Sequence, residues 1–306
     1  MKSKTSSLAK CAFRLLQLIC DDFLETVAET GERALFKLIR ACGAIGQQTF
    51  DLNISLTAVG LLWSICDYLG SRGEFDKSEI DKSGRSRHIE GGIAWYESLI
   101  GILLNDKDIA CLSATTMIDT GNLQYTWLAI FSELSLLCMN SRPAMRKSAV
   151  QSLFQTINAH VQQLNETTTD NLLYILVRLP RGCNPPIDEV ANNPENENQI
   201  IKAHHSRDTP MKQWAETRAN VLVGMAKTIA EARVTVDHRH WVACLSEISL
   251  ATKTTLPEVA NAALIGLKTL LEKKNVGQIN DKRKPKKYNN YRAFKNWWPA
   301  PKFGHF

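Results

Sequence analysis

The stretch from Asn140 to Leu164, NSRPAMRKSAVQSLFQTINAHVQQL, decides how the rest of the chain is interpreted. Pro143 suits the first position of a helix, where its missing N–H costs nothing, and Asn140 or Ser141 can cap the amides that follow. Apolar residues then recur on one face at helical spacing. They are Met145, Ala149, Val150, Leu153, Phe154, Ile157, Val161 and Leu164. The stretch therefore predicts a helix that buries one face.

The same pattern occurs twice more in the chain. Pro257 and the residues after it repeat the proline and the apolar positions, and a weaker copy without proline begins at Ile54. HEAT units are about 40–47 residues long, so the gaps between copies have room for further units. We therefore expect an all-α protein, a HEAT- or armadillo-like α-solenoid of helical hairpins. Such a stack forms long surfaces, which favours a binding scaffold over an enzyme.

The chain divides by composition into helical segments and polar segments. In the first helix, over 6–27, we expect an inward face of Ala12, Leu15, Leu16, Leu18, Ile19 and Phe23. The predicted boundaries are first repeats at 1–70, a polar loop at 71–90, repeats at 91–179 centred on the 142–164 helix, a disordered loop at 180–200, last repeats at 201–274 and a disordered basic aromatic tail at 275–306.

Positive charge is concentrated in the tail. The whole chain carries a net charge of +6, whereas residues 275–306 hold eight basic side chains and one acid, and the remainder is close to neutral. The tail also contains seven aromatic residues. This mixture fits an anionic membrane surface, single-stranded nucleic acid, or a disordered end without a binding role. The candidates for a membrane surface are Lys282, Arg283, Lys284, Lys286, Lys287, Trp297 and Trp298.

The sequence offers no catalytic, cofactor or metal motif. The eight cysteines include no C-x-x-C pair and lie mostly in apolar runs, which indicates buried, reduced thiols. A Ser/His/Asp set, a glycine-rich phosphate loop and paired catalytic carboxylates are all lacking. No secretory signal is recognised, and no uninterrupted apolar run reaches the length that spans a bilayer. We therefore expect a non-enzymatic protein without cofactors.

Two polar clusters are candidates for partner binding. Arg142, Arg146 and Lys147 are expected on the exposed edge of the 142–164 helix; alternatively, this face is simply solvated and Arg146 bonds to a neighbouring repeat. A second cluster precedes the helix that begins near Pro210. Its residues are His204, His205, Arg207 and Asp208, which fit a structured helix entry, a partner surface or, least well, a metal site.

Three separated blocks resemble one known family. They are DLNISLTAVGLLW at 51–63, RPAMRKSA at 142–149 and HHSRDTPMKQWAET at 204–217. In this order they are similar to a middle portion, with HDS regions, of the Mon-two family, which is related to the Sec-seven Arf exchange factors. The resemblance covers roughly residues 10–272; residues 71–135 match poorly, and 275–306 match nothing in the family.

The resemblance implies a function in membrane trafficking. Members of this family act as peripheral scaffolds on trans-Golgi and early endosome membranes, in protein transport between endosomes and Golgi. The implied partners are a Dopey-family protein, a phospholipid flippase and an Arf-like GTPase. No residues here resemble the catalytic module of the exchange factors, so nucleotide-exchange activity is not implied. The alternative function is binding of nucleic acid or an anionic membrane through the tail.

Overall fold

The computed structural model describes residues 2–71, 123–164, 166–184, 209–231 and 238–280. Every regular element within these ranges is a helix. In chain order the α-helices are α1 (Lys2–Asp22), α2 (Leu24–Glu29), α3 (Glu32–Gln47), α4 (Leu52–Ser71), α5 (Leu123–Leu137), α6 (Pro143–His160), α7 (Glu166–Gly182), α8 (Pro210–Glu231), α9 (His238–Thr252) and α10 (Pro257–Asn280). A short 3-10 turn, Val161–Gln163, follows α6.

The helices pack in two rows. Helices α3, α5, α7 and α9 contact one another in succession and form the first row; α4, α6, α8 and α10 form the second. Each helix of the first row also packs against the helix that follows it in the chain. Helix α1 lies against α3 and α4 at one end of the stack. This all-helical arrangement is consistent with an α-solenoid, in which each hairpin mainly contacts its neighbours.

A single apolar core runs between the two rows, from Phe13 in α1 to Leu270 in α10. Helix α5 is buried on all its described sides, as its almost uniformly apolar sequence predicts. The face predicted for α6 is also confirmed, because Met145, Ala149, Leu153 and Ile157 are at most 1% exposed. Six of the seven cysteines in the described ranges are buried, and all seven are free thiols.

Helix α4 shows how local sequence sets a helix start. The Asp51 carboxylate accepts hydrogen bonds from the backbone amides of Asn53 (3.0 Å) and Ile54 (3.3 Å), which satisfies donors that have no partner within the helix. Among the described helices, α4 is the one long and apolar enough to cross a bilayer. Half of its most apolar window is buried in the protein, and the core helix of a globular protein has the same composition.

The inward face predicted for α1 is largely wrong. Leu15 and Leu18 are 59% and 46% exposed, and Phe23, just beyond the helix, is 51% exposed. The side that packs on the core carries Phe13 and Cys20, together with Leu16, which the prediction did include. Because α1 has apolar residues on two sides, periodicity alone could not tell which side is covered.

Two predicted boundaries also differ from the structure. Helix α7 continues through Pro180 to Gly182, since a proline in the last turn removes only one of the final backbone hydrogen bonds. Helix α10 continues past residue 274 to Asn280, because the end of apolar periodicity marks the end of a buried face and not of the helical backbone. The predicted loop at 71–90, the segment at 91–122, most of the loop at 180–200 and the tail after 280 lie outside the described residues.

Candidate partner-binding surface

The start of α6 is fixed to the first hairpin through Arg142. Pro143 is the first helical residue, as predicted, but Arg142 occupies the capping position and makes no side-chain capping bond. Its guanidinium donates to the Gly46 carbonyl (3.0 Å) at the end of α3 and to the Ser55 hydroxyl (3.1 Å) in α4. The Asn140 carboxamide oxygen accepts from the backbone amide (3.0 Å) and Nε (3.1 Å) of Arg142. Asn140 therefore orients this arginine instead of capping the helix.

Arg146 lies one turn further along α6 and is only 1% exposed. Its guanidinium donates to the carbonyls of Asn140 (2.9 Å) and Ser141 (2.8 Å), and its Nε donates to the Thr217 hydroxyl (3.2 Å) in α8. It also stacks on the Trp214 ring, with the guanidinium carbon 3.7 Å from the ring centroid. A planar guanidinium suits this site because it can stack and donate several fixed hydrogen bonds at once.

The predicted position of these arginines on an exposed edge is therefore wrong. Arg142 and Arg146 act within the stack, where they join α6 to α3, α4 and α8. The alternative interpretation of Arg146, a hydrogen bond to a neighbouring repeat, is confirmed by its contact with Thr217. The signal that could have identified the site is Trp214, an aromatic partner at a buried position of the next helix in the row.

Lys147 is the exposed member of the cluster. It lies beside a groove of about 280 Å³ between the N-terminal halves of α6 and α8. The side chains lining this groove are small or uncharged except for Lys147 and Glu216, which are both exposed. The full lining is Pro143, Ala144, Lys147, Val150, Gln213, Glu216, Thr217 and Asn220. One exposed charge of each sign, together with amides, makes this groove suitable for a polar protein segment.

Within the described part of the first row, the structure adds two ion pairs and one histidine–carboxylate contact that the sequence did not predict. Arg40 of α3 contacts Glu133 of α5 at 2.5 Å. Between α7 and α9, the His240 ring contacts the Asp170 carboxylate at 2.5 Å, and Arg181 pairs with Glu247. The acids Glu133 and Glu247 are both 1% exposed. Polar contacts thus join successive helices in the first row as well as in the second.

The first turn of α9 contains a buried histidine. The helix begins at His238, and His240 is only 4% exposed. Its partner Asp170 belongs to α7, and no local pattern in the sequence links the two positions. Three-residue clusters of His, Cys, Asp or Glu that could hold a metal do not occur in the ranges the structure covers. His204, His205, Arg207 and Asp208, and all seven tail candidates, lie outside those ranges.

Comparison with known proteins relates this chain to one family. The model of the C-terminal region of Mon2 protein matches residues 21–292. Curated relatives named MON2 homolog are 33% identical over 293 residues in Homo sapiens and 33% identical over 290 residues in Xenopus laevis. The relative of the same name in Drosophila melanogaster is 31% identical over 270 residues. No solved structure matches the chain.

These alignments cover most of this chain but a small part of each relative. The human and Xenopus matches span 91% and 90% of the chain and only 16% and 15% of the relatives; the Drosophila match spans 86% and 14%. The matched region is C-terminal by its description, whereas the three sequence blocks suggested a middle portion. With a family model that spans most of its length and several relatives above 30% identity, the chain belongs to the Mon2 family, to whose C-terminal region it corresponds.

Proposed function

We propose that this chain is a non-enzymatic scaffold in membrane trafficking between endosomes and the Golgi. The family match over residues 21–292 is the observation that carries this proposal. The proposed architecture is a HEAT- or armadillo-like solenoid, and the two rows of helices support it. The proposed location is the cytosolic surface of trans-Golgi and early endosome membranes, to which the chain attaches peripherally.

The surface proposed for partner binding is the groove between α6 and α8. It carries Lys147 and Glu216 in exposed positions, and neither side chain is used by the buried contacts that hold the helices together. Arg146 donates a hydrogen bond to Thr217, which lines the groove, and so fixes α6 against α8 at this point. The partners proposed are a Dopey-family protein, a phospholipid flippase and an Arf-like GTPase, because the family resemblance implies them.

The test is an affinity capture from cytosol and detergent-solubilised Golgi membranes with the full chain as bait. We compare the wild type with Lys147→Glu, which reverses the charge at the groove. The matched control is Lys37→Glu, because Lys37 is an exposed lysine of α3, a helix that does not line the groove. We expect the wild type and the control to recover at least one of the three partner classes, and Lys147→Glu to recover several-fold less.

Two results would contradict the proposal in different ways. Recovery of none of these partners by the wild type would reject the trafficking function for this chain. Equal recovery by the wild type and both variants would keep the function but reject the groove as its binding surface. Nucleotide release from an Arf-like GTPase on addition of the chain would contradict its non-enzymatic character.

A further inference from the structure

Two of the buried thiols meet where α1 packs on α3. Cys20 lies in the last turn of α1 and Cys42 lies within α3, and these two helices contact each other at one end of the stack. Both cysteines are free, they are 4% and 0% exposed, and they belong to the same apolar core. Their side chains share a hydrogen bond, so the two thiols are in direct contact.

A second pair of buried cysteines has a different geometry. Cys138 directly follows α5 and Cys183 directly follows α7, and both are at most 1% exposed. The Cys183 thiol is directed at the backbone carbonyl oxygen of Cys138, with 3.9 Å between sulfur and oxygen. Its hydrogen bond therefore goes to a main-chain atom and not to the other sulfur. The two pairs are equally buried, but only in the first does one thiol bond to the other.

The contact makes Cys20 the more reactive member of the first pair. Cys42 is wholly buried and keeps its proton, which it donates to the Cys20 sulfur. This hydrogen bond lowers the pKa of Cys20, against the effects of burial and of the Asp21 charge, which both raise it. Burial is the main cause that raises the pKa of Cys138 and of Cys183. Because the thiolate is the nucleophile, Cys20 should react before the second pair does.

We propose that Cys20 and Cys42 form an oxidative modification site, at which hydrogen peroxide converts the two thiols into a disulfide that ties α1 to α3. In the first step the Cys20 thiolate attacks one oxygen of the peroxide. The sulfur–oxygen bond forms and the oxygen–oxygen bond breaks. The released hydroxide takes up the proton that Cys20 gave up, which yields water and a sulfenic acid on Cys20.

The second step forms the disulfide. The Cys42 sulfur attacks the Cys20 sulfur and displaces its hydroxyl group, which leaves as water with the proton of Cys42. The two sulfurs lose two electrons in total, and one hydrogen peroxide is reduced to two molecules of water. The new bond closes a loop from position 20 to position 42 that contains α2. It adds a covalent link to the packing that holds α1 on α3 and α4.

The first test maps the oxidised cysteines of the folded full chain. Dilute protein is treated with hydrogen peroxide, the remaining thiols are alkylated during denaturation, and tryptic peptides are identified by mass spectrometry. We expect a disulfide between Cys20 and Cys42 that forms at least about tenfold faster than any link between Cys138 and Cys183. Fragment spectra must distinguish Cys42 from Cys66, because no trypsin site lies between them.

Variants separate the two chemical steps. Cys42→Ser removes the second thiol but keeps a hydroxyl that can donate to Cys20, so the sulfenic acid on Cys20 should accumulate and react with dimedone. Cys20→Ser should leave Cys42 unmodified. The matched control is Cys183→Ser, which removes a thiol of the second pair and should form the disulfide as the wild type does. Circular dichroism checks that all the proteins are equally helical.

Three results would overturn the proposal, and two of them need no variant. Cys20 and Cys42 could both stay reduced while the exposed Cys11 is oxidised, which would show that the pair is inert in the folded chain. The disulfide could form in urea and not in the native protein, which would show that the folded contact does not produce it. A Cys42→Ser chain that is equally helical and gives no dimedone adduct would show that Cys20 is not the attacking thiol.

Discussion

At the scale of single residues, several contacts between helices involve charged groups that are wholly or partly removed from water. Arg146 is one of these groups, since it donates three hydrogen bonds and has an aromatic ring against its face. Removing a buried charge from water is expensive, and only a full set of partners compensates for it. This arginine therefore specifies how α6 and α8 meet, in addition to any effect on stability.

Arg146→Lys should test the need for a guanidinium at this position. Lysine keeps the charge but cannot reproduce the planar stacking on Trp214 together with the separate bonds to two carbonyls and to Thr217. We expect the free energy of unfolding to fall by about 2–3 kcal/mol in urea titrations. Arg33→Lys, at an exposed position of α3, is the control and should change it by less than about 0.5 kcal/mol. If Arg146→Lys left the free energy of unfolding unchanged, the buried hydrogen-bond network would contribute little to stability.

For the buried carboxylate of Glu133, the attraction of its partner does not compensate fully for the loss of water. Burial raises the pKa of its carboxyl from 4.5 to about 7, and the attraction of Arg40 opposes this shift without cancelling it. The ion pair favours the charged form, but Arg40 is 39% exposed and therefore screened by water, so desolvation is the larger effect. A raised pKa means that the native state holds more protons than the unfolded state between these two values. The contribution of Glu133 to the free energy of unfolding is thus most favourable below about pH 4.5, and it declines as the pH rises to about 7.

Glu133→Gln removes this titration while keeping the shape of the side chain. The wild type should lose up to about 3 kcal/mol of unfolding free energy between pH 4.5 and 7 through this group, and the variant should lack that component. Urea unfolding across this pH range measures it, with Glu216→Gln at an exposed site as the control. If the unfolding free energy of Glu133→Gln changed with pH as that of the wild type does, Arg40 would keep the wild-type carboxylate ionised throughout.

At the scale of helices, neighbours in the same row approach closely where one of them carries glycine. A Cβ on Gly70 of α4 would overlap the ring of His160 at the end of α6. His160 itself packs against Trp127 of α5, with ring centroids 5.1 Å apart, so it has little room to move. A Cβ on Gly60, in the middle of the same helix α4, would meet no atom within 4 Å.

These two glycines give a matched pair of substitutions in one helix. Gly70→Ala should lower the unfolding free energy by about 1–3 kcal/mol, because the added methyl group forces His160 or α6 to shift. Gly60→Ala should raise it by about 0.5–1 kcal/mol, because alanine loses less backbone entropy on entering a helix. Thermal unfolding of both variants compares them directly. Equal effects of the same sign would contradict the close contact between α4 and α6.

What the sequence predicts well are elements whose local pattern contains all the information needed. Pro143 and the apolar face that follows give the start and the buried side of α6, and the all-apolar run gives the burial of α5. The register of α1 and the burial of Arg146 and His240 depend on other helices that are far away in sequence. Thr217, Trp214 and Asp170 supply those environments, and no spacing rule connects them to their partners.

At the scale of the whole molecule, the positive charge and the helical stack belong to different parts of the chain. The net charge of +6 for the chain arises from the segment after residue 274, and the residues before it are close to neutral. Positive charge mixed with tryptophan favours the interface of an anionic membrane, because lysine and arginine meet the headgroups and tryptophan prefers the boundary region. Membrane attachment through this segment would leave the helical stack free for protein partners.

The final prediction separates the membrane interpretation of this segment from the nucleic-acid interpretation. In the full chain, Lys282, Arg283, Lys284, Lys286 and Lys287 are changed together to glutamine, and Trp297 and Trp298 are changed separately to alanine. Co-sedimentation with vesicles containing phosphatidylserine should fall by at least about tenfold in the first variant, because each basic residue near the surface contributes about 1 kcal/mol. The tryptophan variant should also bind these vesicles more weakly than the wild type does. Vesicles of neutral lipid should bind neither the wild type nor the two variants.

A different result would support nucleic-acid binding. The chain would then bind single-stranded RNA more tightly than the anionic vesicles, and its affinity for RNA would fall steeply with salt, since phosphate contacts release counterions. Equal binding of all variants to both ligands would show that neither function depends on this segment.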